Sequence, residues 1–360
     1  MAESEYEIRR FEHGDTEEFL SLYATVMGER KGRAWFGWKY AANPHVDHVP
    51  IIVGTLDETI VAARPFFALP MRIRGEREIA LQPADTMVHP DHRRRGLFTR
   101  MTERAIERYT GKHPLFFNFP NDRSRPGYLK LGWETVAERS TYYRIQRLDA
   151  VGTALSDRSA VRLACAAGAP VTRGYNRLRD RTAPDPDGIT VRTEPNPAAS
   201  LAALSETASS DRIHAARDEE FYRWRLGNPD WEYTAYVADG DAGPEAAVVA
   251  GTTVDREPTT TKLTDVVPLG TAPEDALAGL IGRVVADHTE TDLFAAPPQG
   301  IPVSVLQAFG FHADTSLPLS YLTSQTTHVV RTLPDDRVQN ETDVTDPDSW
   351  LLTFAEADTS

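Results

Sequence analysis

The chain has 360 residues, 53 Asp and Glu against 39 Lys and Arg, and a net charge of -14. That length suits two domains of ordinary size, and that charge disfavours a general nucleic-acid binder, which needs net basic surface to displace counterions. No apolar run approaches the ~20 residues that span a bilayer, and the acidic start Met1-Ala-Glu-Ser-Glu lacks the character of a targeting leader, so a cytoplasmic protein without membrane or nucleic-acid partners is expected.

Extended segments are predicted near Tyr6 to Phe11, Val49 to Thr55, Ile60 to Ile73 and Ile79 to Val88. In the last of these Ile79, Leu81 and Met87 share one parity and Ala80, Gln82 and Thr86 the other, as on a strand. The segment runs into Arg93-Arg-Arg-Gly96, after which Leu97, Met101, Ala105 and Tyr109 recur at helical spacing with Arg100, Glu103, Arg104, Glu107 and Arg108 between them. A helix therefore starts near Gly96. Its unpaired N–H groups and positive dipole end face the turn, and glycine there lets a ligand approach the main chain, so the turn is an anion cradle suited to a pyrophosphate.

Two more extended segments follow, Leu115 to Phe119 and Thr135 to Ile145, and then an Ala/Arg-rich, partly helical stretch that ends in the linker-like Thr182-Ala-Pro-Asp-Pro-Asp-Gly188. The lone Cys165 lies in that stretch without a disulfide partner or an activating neighbour. A second α/β segment reaches about Leu322 and echoes the first. Trp35-Phe-Gly-Trp38-Lys-Tyr-Ala-Ala-Asn43-Pro44 returns as Phe221-Tyr-Arg-Trp224-Arg-Leu-Gly-Asn228-Pro229 at offsets of 186 and 185, and Leu131-Gly132-Trp133 returns as Phe309-Gly310-Phe311 at 178. Such order and spacing point to a duplicated domain. The expected division is 1–148, a linker at 149–188, a second domain at 189–330 and an acidic tail at 331–360, within which Trp350 to Phe354 either docks as a short strand or stays solvated. Lysine occurs only at positions 31, 39, 112, 130 and 262, a composition similar to that of proteins from organisms with a saline cytoplasm. At 1 M salt the screening length is only ~3 Å, so recognition would rest on close contacts.

The run Val88-His89-Pro90 followed by Arg93-Arg94-Arg95-Gly96-Leu97-Phe98 resembles the Arg/Gln-x-x-Gly-x-Gly/Ala signature of the GCN5-related N-acetyltransferase (GNAT) superfamily, with Phe98 in place of the small sixth residue. Asn121-Asp-Arg-Ser124 and Tyr128-Leu-Lys-Leu-Gly132-Trp133 resemble the second half of that signature at the right distance. The resemblance implies an α/β (α+β) fold of two tandem GNAT-like domains, each a mixed, mostly antiparallel central sheet flanked by helices. It implies acetyl-CoA as acyl donor, held by Met87, Val88, His89, Arg93, Arg94, Arg95, Gly96, Leu97, Phe98, Thr99, Asn121, Ser124 and Tyr128. It also implies transfer of the acetyl group to an amine of a small molecule or peptide by direct attack in a ternary complex; a homo-oligomer is one open option for its assembly. The second copy has no Arg-x-x-Gly turn and carries Leu306 where Tyr128 stands, so it reads as a non-catalytic half.

Amide formation from a thioester needs a deprotonated amine near the carbonyl, donors for the oxyanion and help for the leaving thiolate. Positioning alone supplies roughly 7–11 kcal/mol, so no covalent enzyme intermediate, and no cysteine, is required. By resemblance Tyr128 is the acid toward the sulfur. An ordinary phenol near pKa ~10 giving its proton to a thiolate near ~8.5 is uphill by roughly 2 kcal/mol, so a strong hydrogen bond to sulfur or a lowered phenol pKa is expected. Asp85, five residues before Pro90, is the best-placed base, with Glu134 and the terminal carboxylate of Ser360 behind it. An ordinary Asp near ~3.9 needs burial for that task or acts by orienting water or substrate.

Other features have plainer readings. His89, Asp91 and His92 lack a third ligand at fixed spacing, so no metal is expected. The Arg triplet is assigned to phosphates, and Trp35, Phe36, Trp38 and Tyr40 to the core. The alternative function is a non-catalytic acyl-CoA-binding regulatory or scaffold protein.

Overall fold

A computed structural model of the chain describes residues 6–155, 159–208, 210–297, 299–316, 319–321, 323, 325–333 and 343–358. The strands are β1 (Glu7–Arg10), β2 (Ile51–Leu56), β3 (Thr59–Ile73), β4 (Glu76–Pro83), β5 (Met87–Val88), β6 (Leu115–Asn118), β7 (Glu134–Arg139), β8 (Tyr142–Ile145), β9 (Thr190–Glu194), β10 (His214–Ala215), β11 (Trp231–Gly240), β12 (Gly243–Thr253), β13 (Thr260–Val267), β14 (Leu293–Ala296), β15 (His312–Ala313) and β16 (Thr326–Thr332). They form two mixed sheets. One runs β1-β2-β3-β4-β6-β16-β7, with β5 and β10 also paired to β3, and the other runs β9-β11-β12-β13-β14-β8-β15.

Position by position the second order repeats the first, including a single parallel step, β4 to β6 in one and β13 to β14 in the other. The sixth places are exchanged. Strand β8, which follows β7 in the chain, inserts between β14 and β15, while β16, which follows β15, inserts between β6 and β7. The segment read as one extended run from Thr135 to Ile145 is thus two strands serving different sheets, with Ser140 and Thr141 between them.

The echoed motifs carry matching local geometry. The Tyr128 carbonyl accepts from Trp133 N at 3.2 Å, and the Leu306 carbonyl accepts from Phe311 N at 3.0 Å. Gly132 and Gly310 between them have φ of 84° and 77°, the left-handed region that glycine enters without Cβ strain. At Gly132 the absent Cβ also makes room for Arg331 of the exchanged β16, whose Nη1 would lie 2.0 Å from it. That guanidinium donates to the Leu131 carbonyl and stacks on Trp133.

The first echo meets itself across the molecule. Trp38 Nε1 donates to the Trp224 carbonyl at 2.8 Å, Trp224 Nε1 donates to the Trp38 carbonyl at 3.0 Å, and the rings stack 5.9 Å apart. A single hydrophobic core therefore lies between the sheets, drawing Phe19, Trp35 and Phe67 from one side and Val237, Val249 and Val267 from the other. Two further cores lie on the outer faces, under the helices Leu97–Tyr109 and Glu274–Asp287. Trp35, Phe36, Trp38 and Tyr40 all belong to the shared core. So does Trp350, which is fully buried, bridges to Ile213, packs at a tilt on Phe117 and meets His328 edge-on. The end of the chain to Asp358 is thereby laid between the two sheets.

Trp224→Ala removes a large buried ring and the hydrogen bond from its Nε1 to the Trp38 carbonyl, a loss of about 3–5 kcal/mol. A urea melt should show a correspondingly lower midpoint with an unchanged slope. His45 packs edge-on against Trp224 at 5.0 Å, and burial, with Arg77 beside it, pushes its imidazole down to about 4. An unfolded histidine titrates near ~6.5, so as pH falls from there toward 4 the unfolded chain takes up a proton that the folded chain excludes, and stability is lost with acid. Thermal melts at pH 7 and pH 5 should show a lower Tm at pH 5, by a margin that narrows in His45→Gln; an equal margin in the variant rules His45 out as the cause.

Candidate functional site

The path from β4 to the Leu97–Tyr109 helix builds the site. β4 ends at Pro83, and Asp85 takes φ 43° before β5 resumes pairing with β3. That left-handed residue slips the alternation by one. Leu81 packs in the outer core under the helix, whereas Met87 packs in the core between the sheets, so the parity predicted to unite them is broken at Asp85. β4 meets β6 only at Leu81 opposite Phe116.

Beyond β5 the chain makes the turn Pro90–His92 and reaches the cradle. His89 Nδ1 accepts from Asp91 N, and His92 Nδ1 pairs with the Tyr6 hydroxyl at 2.8 Å. Among the described residues no three His, Cys, Asp or Glu side chains gather as a metal site requires. Arg93 Nε donates to the Val88 carbonyl, and Arg94 and Gly96 both turn left-handed, at φ 61° and 77°. The main chain thereby curls so that the N–H groups from Arg94 to Thr99 have no backbone or side-chain acceptor among the described residues. Arg93, Arg94, Arg95 and Gly96 are exposed, and a Cβ built on Gly96 meets nothing within 4 Å. Uncovered N–H groups at a helix start, three arginines and open space over glycine are features that suit a polyanion. The corresponding helix in the other half, Glu274–Asp287, begins Glu274-Asp275, whose carboxylates repel phosphate.

Asn121 and Ser124 lie where the helix Arg125–Lys130 begins. Asn121 Oδ1 accepts from Arg123 N and Ser124 N at 3.1 and 3.0 Å, which fixes the turn that presents Tyr128. Phe98, the residue that departs from the family pattern, lies edge-on to the Tyr128 ring at 5.6 Å and fills the space that Gly127 leaves by lacking a side chain. It forms one wall of the tyrosine's pocket.

The other wall is Arg64, which sequence reasoning passed over. Its guanidinium is fully buried, donates from Nη1 to the Tyr128 hydroxyl at 3.0 Å and to Thr86 Oγ1 at 2.8 Å, and lies 4.8 Å from the ring centres of both Phe98 and Tyr128. Its Nε and Nη2 find no acceptor among the described residues. Burial lowers its pKa from the ordinary guanidinium value against the raising effect of Tyr128. With Arg64 occupying a lone pair of the phenol oxygen, the phenol proton is directed elsewhere, and negative charge that develops on that oxygen is stabilised by the adjacent cation. The available signal was one Arg inside the apolar run Ile60-Val-Ala-Ala-Arg-Pro-Phe-Phe67, where an unpaired charge is costly unless it has work to do.

Asp85 accepts from Lys39 Nζ at 2.6 Å and from the Tyr40 hydroxyl at 2.5 Å. Both donors come from the π-helical turn Gly37–Ala41, which directs two successive side chains onto one carboxylate. Lys39 also reaches Asp358 at 3.2 Å. Burial pulls the Lys39 ammonium down, but the two carboxylates outweigh it and its pKa stands above the ordinary value. Burial, with the charge of Asp85, holds the Asp358 carboxyl above the usual range despite Lys39. Of the three carboxylates considered from sequence, Asp85 is thus in an ion pair, Glu134 is exposed at the start of β7, and Ser360 lies outside the described residues. Asp358 is a fourth. It had looked like one acid among many in the tail.

Residues 7–136 match the family model described as acetyltransferase (GNAT) domain. That stretch, about a third of the chain, is what resembles the family in sequence. No curated protein matches the sequence. Solved structures match the fold over 91% of this chain. They include a conserved protein of Enterococcus faecalis V583 described as a probable N-acyltransferase (TM-score 0.64, 11% identity, 72% of that chain covered). A GCN5-related N-acetyltransferase from Anabaena variabilis matches with TM-score 0.61 and 9% identity over 73% of its length, and one from Kribbella flavida with 0.56 and 15% over 71%. The likeness therefore extends well beyond residue 136, to the arrangement of both sheets. Among the described residues no helix is long and apolar enough to cross a membrane.

Proposed function

We propose that the protein is an N-acetyltransferase that moves an acetyl group from acetyl-CoA to a primary amine. The observation that carries this reading is the pairing of the uncovered N–H run at Arg94 to Thr99 with a Tyr128 hydroxyl held by buried Arg64. The residues fit the donor: Arg93, Arg94, Arg95, Gly96 and the N–H groups through Thr99 would take its pyrophosphate, the main chain at Met87, Val88 and His89 would flank its arm, and Asn121 and Ser124 shape the loop that presents Tyr128.

In the reaction the amine nitrogen forms a bond to the acyl carbon, the C–S bond breaks, one proton leaves the nitrogen and one joins the sulfur. Tyr128 supplies the sulfur's proton or hydrogen bond, and Arg64 stabilises the phenol oxygen as it does so. Asp358, its carboxyl raised by burial, receives the amine's proton directly or through water; Asp85 holds Lys39 and Tyr40 in place beside it and serves as positioning residue. The second sheet contributes walls and strand β8 but no donor site, since Leu306 replaces the tyrosine and Glu274 and Asp275 occupy the helix start.

The test is release of free thiol from acetyl-CoA over a panel of amine classes in low and high salt. Amine-dependent release supports the reading. Binding of acetyl-CoA without release from any amine favours a sensor or scaffold instead.

A further inference from the structure

A cavity of about 480 Å³ lies where the two sheets meet, bounded by the ends of β7 and β8, by β13 and β14, and by the terminal segment. It adjoins the proposed reaction site at two points. Phe119, in its wall, directly follows β6 and precedes the Asn121 turn, and Asp358, also in its wall, is the carboxylate that Lys39 ties to Asp85.

The charged residues of the wall are Arg139, Lys262 and Asp358. In a chain with fourteen more negative than positive charges, a cavity with two cations to one carboxylate runs against composition, and that carboxylate is already paired with Lys39. Arg139 is held by neutral acceptors, with Nε and Nη2 on His328 Nδ1 at 3.3 and 3.2 Å and Nη1 on Gln299 Oε1 at 2.9 Å. His328 is fully buried, and burial together with Arg139 keeps its pKa well below the ordinary value, so it is a neutral acceptor that orients the guanidinium without cancelling its charge. Gln299 is fixed in turn by Trp350 O and Leu352 N. Lys262 holds its ammonium 4.8 Å from the Trp231 ring and 5.2 Å from the Phe354 ring. Phe119, Tyr143 and Phe354 supply apolar surface between the charges. Bidentate or charge-assisted binding of a carboxylate is what a preset guanidinium does best.

We infer that this cavity is the acceptor site and that the acceptor is an α-amino acid with a large apolar side chain, its carboxylate taken by Arg139 and Lys262 and its amine delivered on the Asp358 side. The inference rests on the N-acetyltransferase reading and narrows its amine to one class; the product is then the N-acetyl amino acid and free coenzyme A. Burial opposes both cations, drawing Arg139 down to about 10 and Lys262 to about 8, a cost that a bound carboxylate relieves.

The test is calorimetric titration of the full chain with L-phenylalanine and with phenethylamine, which lacks only the carboxylate, each without and with acetyl-CoA. L-Phenylalanine should bind about tenfold or more tighter, the worth of one charge-assisted contact, and Arg139→Gln should erase most of that preference while leaving acetyl-CoA binding unchanged. Lys262→Met provides a second variant should Arg139→Gln melt early. Equal or tighter binding of phenethylamine, or no binding of either compound at millimolar concentration, overturns the inference. The two readings fail separately: amino-acid binding without acetyl-CoA binding sinks the donor assignment alone, and acetyl-CoA binding with preference for phenethylamine sinks the acceptor assignment alone.

Discussion

Tyr128→Phe should lower turnover by about 10²- to 10³-fold, within the usual range for loss of a positioned proton donor, and leave acetyl-CoA affinity within about threefold, since the contact matters to the transition state and not to the ground state. The ring itself is structural, packed against Phe98, Trp133 and Arg64, and phenylalanine keeps that packing. Only the oxygen that Arg64 addresses at 3.0 Å is removed. Thiol release in saturating donor and amine, with acetyl-CoA titrated separately, checks both halves. Unchanged turnover removes the assignment of Tyr128 as acid, and a large loss of affinity with unchanged turnover reassigns it to binding.

Arg64→Met should separate stability from activity. The guanidinium is fully buried, contacts no carboxylate among the described residues and leaves two nitrogens without acceptors, whereas a methionine of similar length suits the aromatic rings of Phe66, Phe98 and Tyr128. Removing an uncompensated buried charge is worth up to a few kcal/mol to the fold, so Tm should rise by a few degrees. Turnover should fall about 10²-fold, as when an electrostatic donor is lost from a transition state. A Tm that drops along with activity would make Arg64 a structural residue.

The parts of this molecule written in local patterns were legible in advance. The glycine at the cradle and the helix from Leu97 were readable because turn residue, apolar spacing and solvated face agree there. The echoes of Trp38 at Trp224 and of Gly132 at Gly310 likewise foretold matching geometry. Other features depend on contacts between distant residues, and nothing local encodes them. Tyr142–Ile145 lay inside one expected run from Thr135, and Thr326–Thr332 lies past Leu322, where the second α/β segment was expected to end; no feature of either says which sheet it joins. The slip at Asp85 needs one residue with positive φ, and Asp is not glycine, so alternation was carried through it and placed Leu81 and Met87 on one face. Arg64 looked like a stray charge in an apolar strand and Asp358 like one more acid in an acidic tail; each acquires a role only from partners 64 and 319 residues away.

Calorimetric titration of the full chain with acetyl-CoA tests most directly whether the cradle at Arg93 to Thr99 is the place where an acyl donor binds. One site per chain is expected, with a Kd below about 1 mM, in the range where enzymes hold their substrates, weakened strongly by Gly96→Val, whose branched side chain suits neither φ 77° nor the approach of a pyrophosphate. No binding at millimolar acetyl-CoA, or binding that Gly96→Val leaves intact, would contradict it.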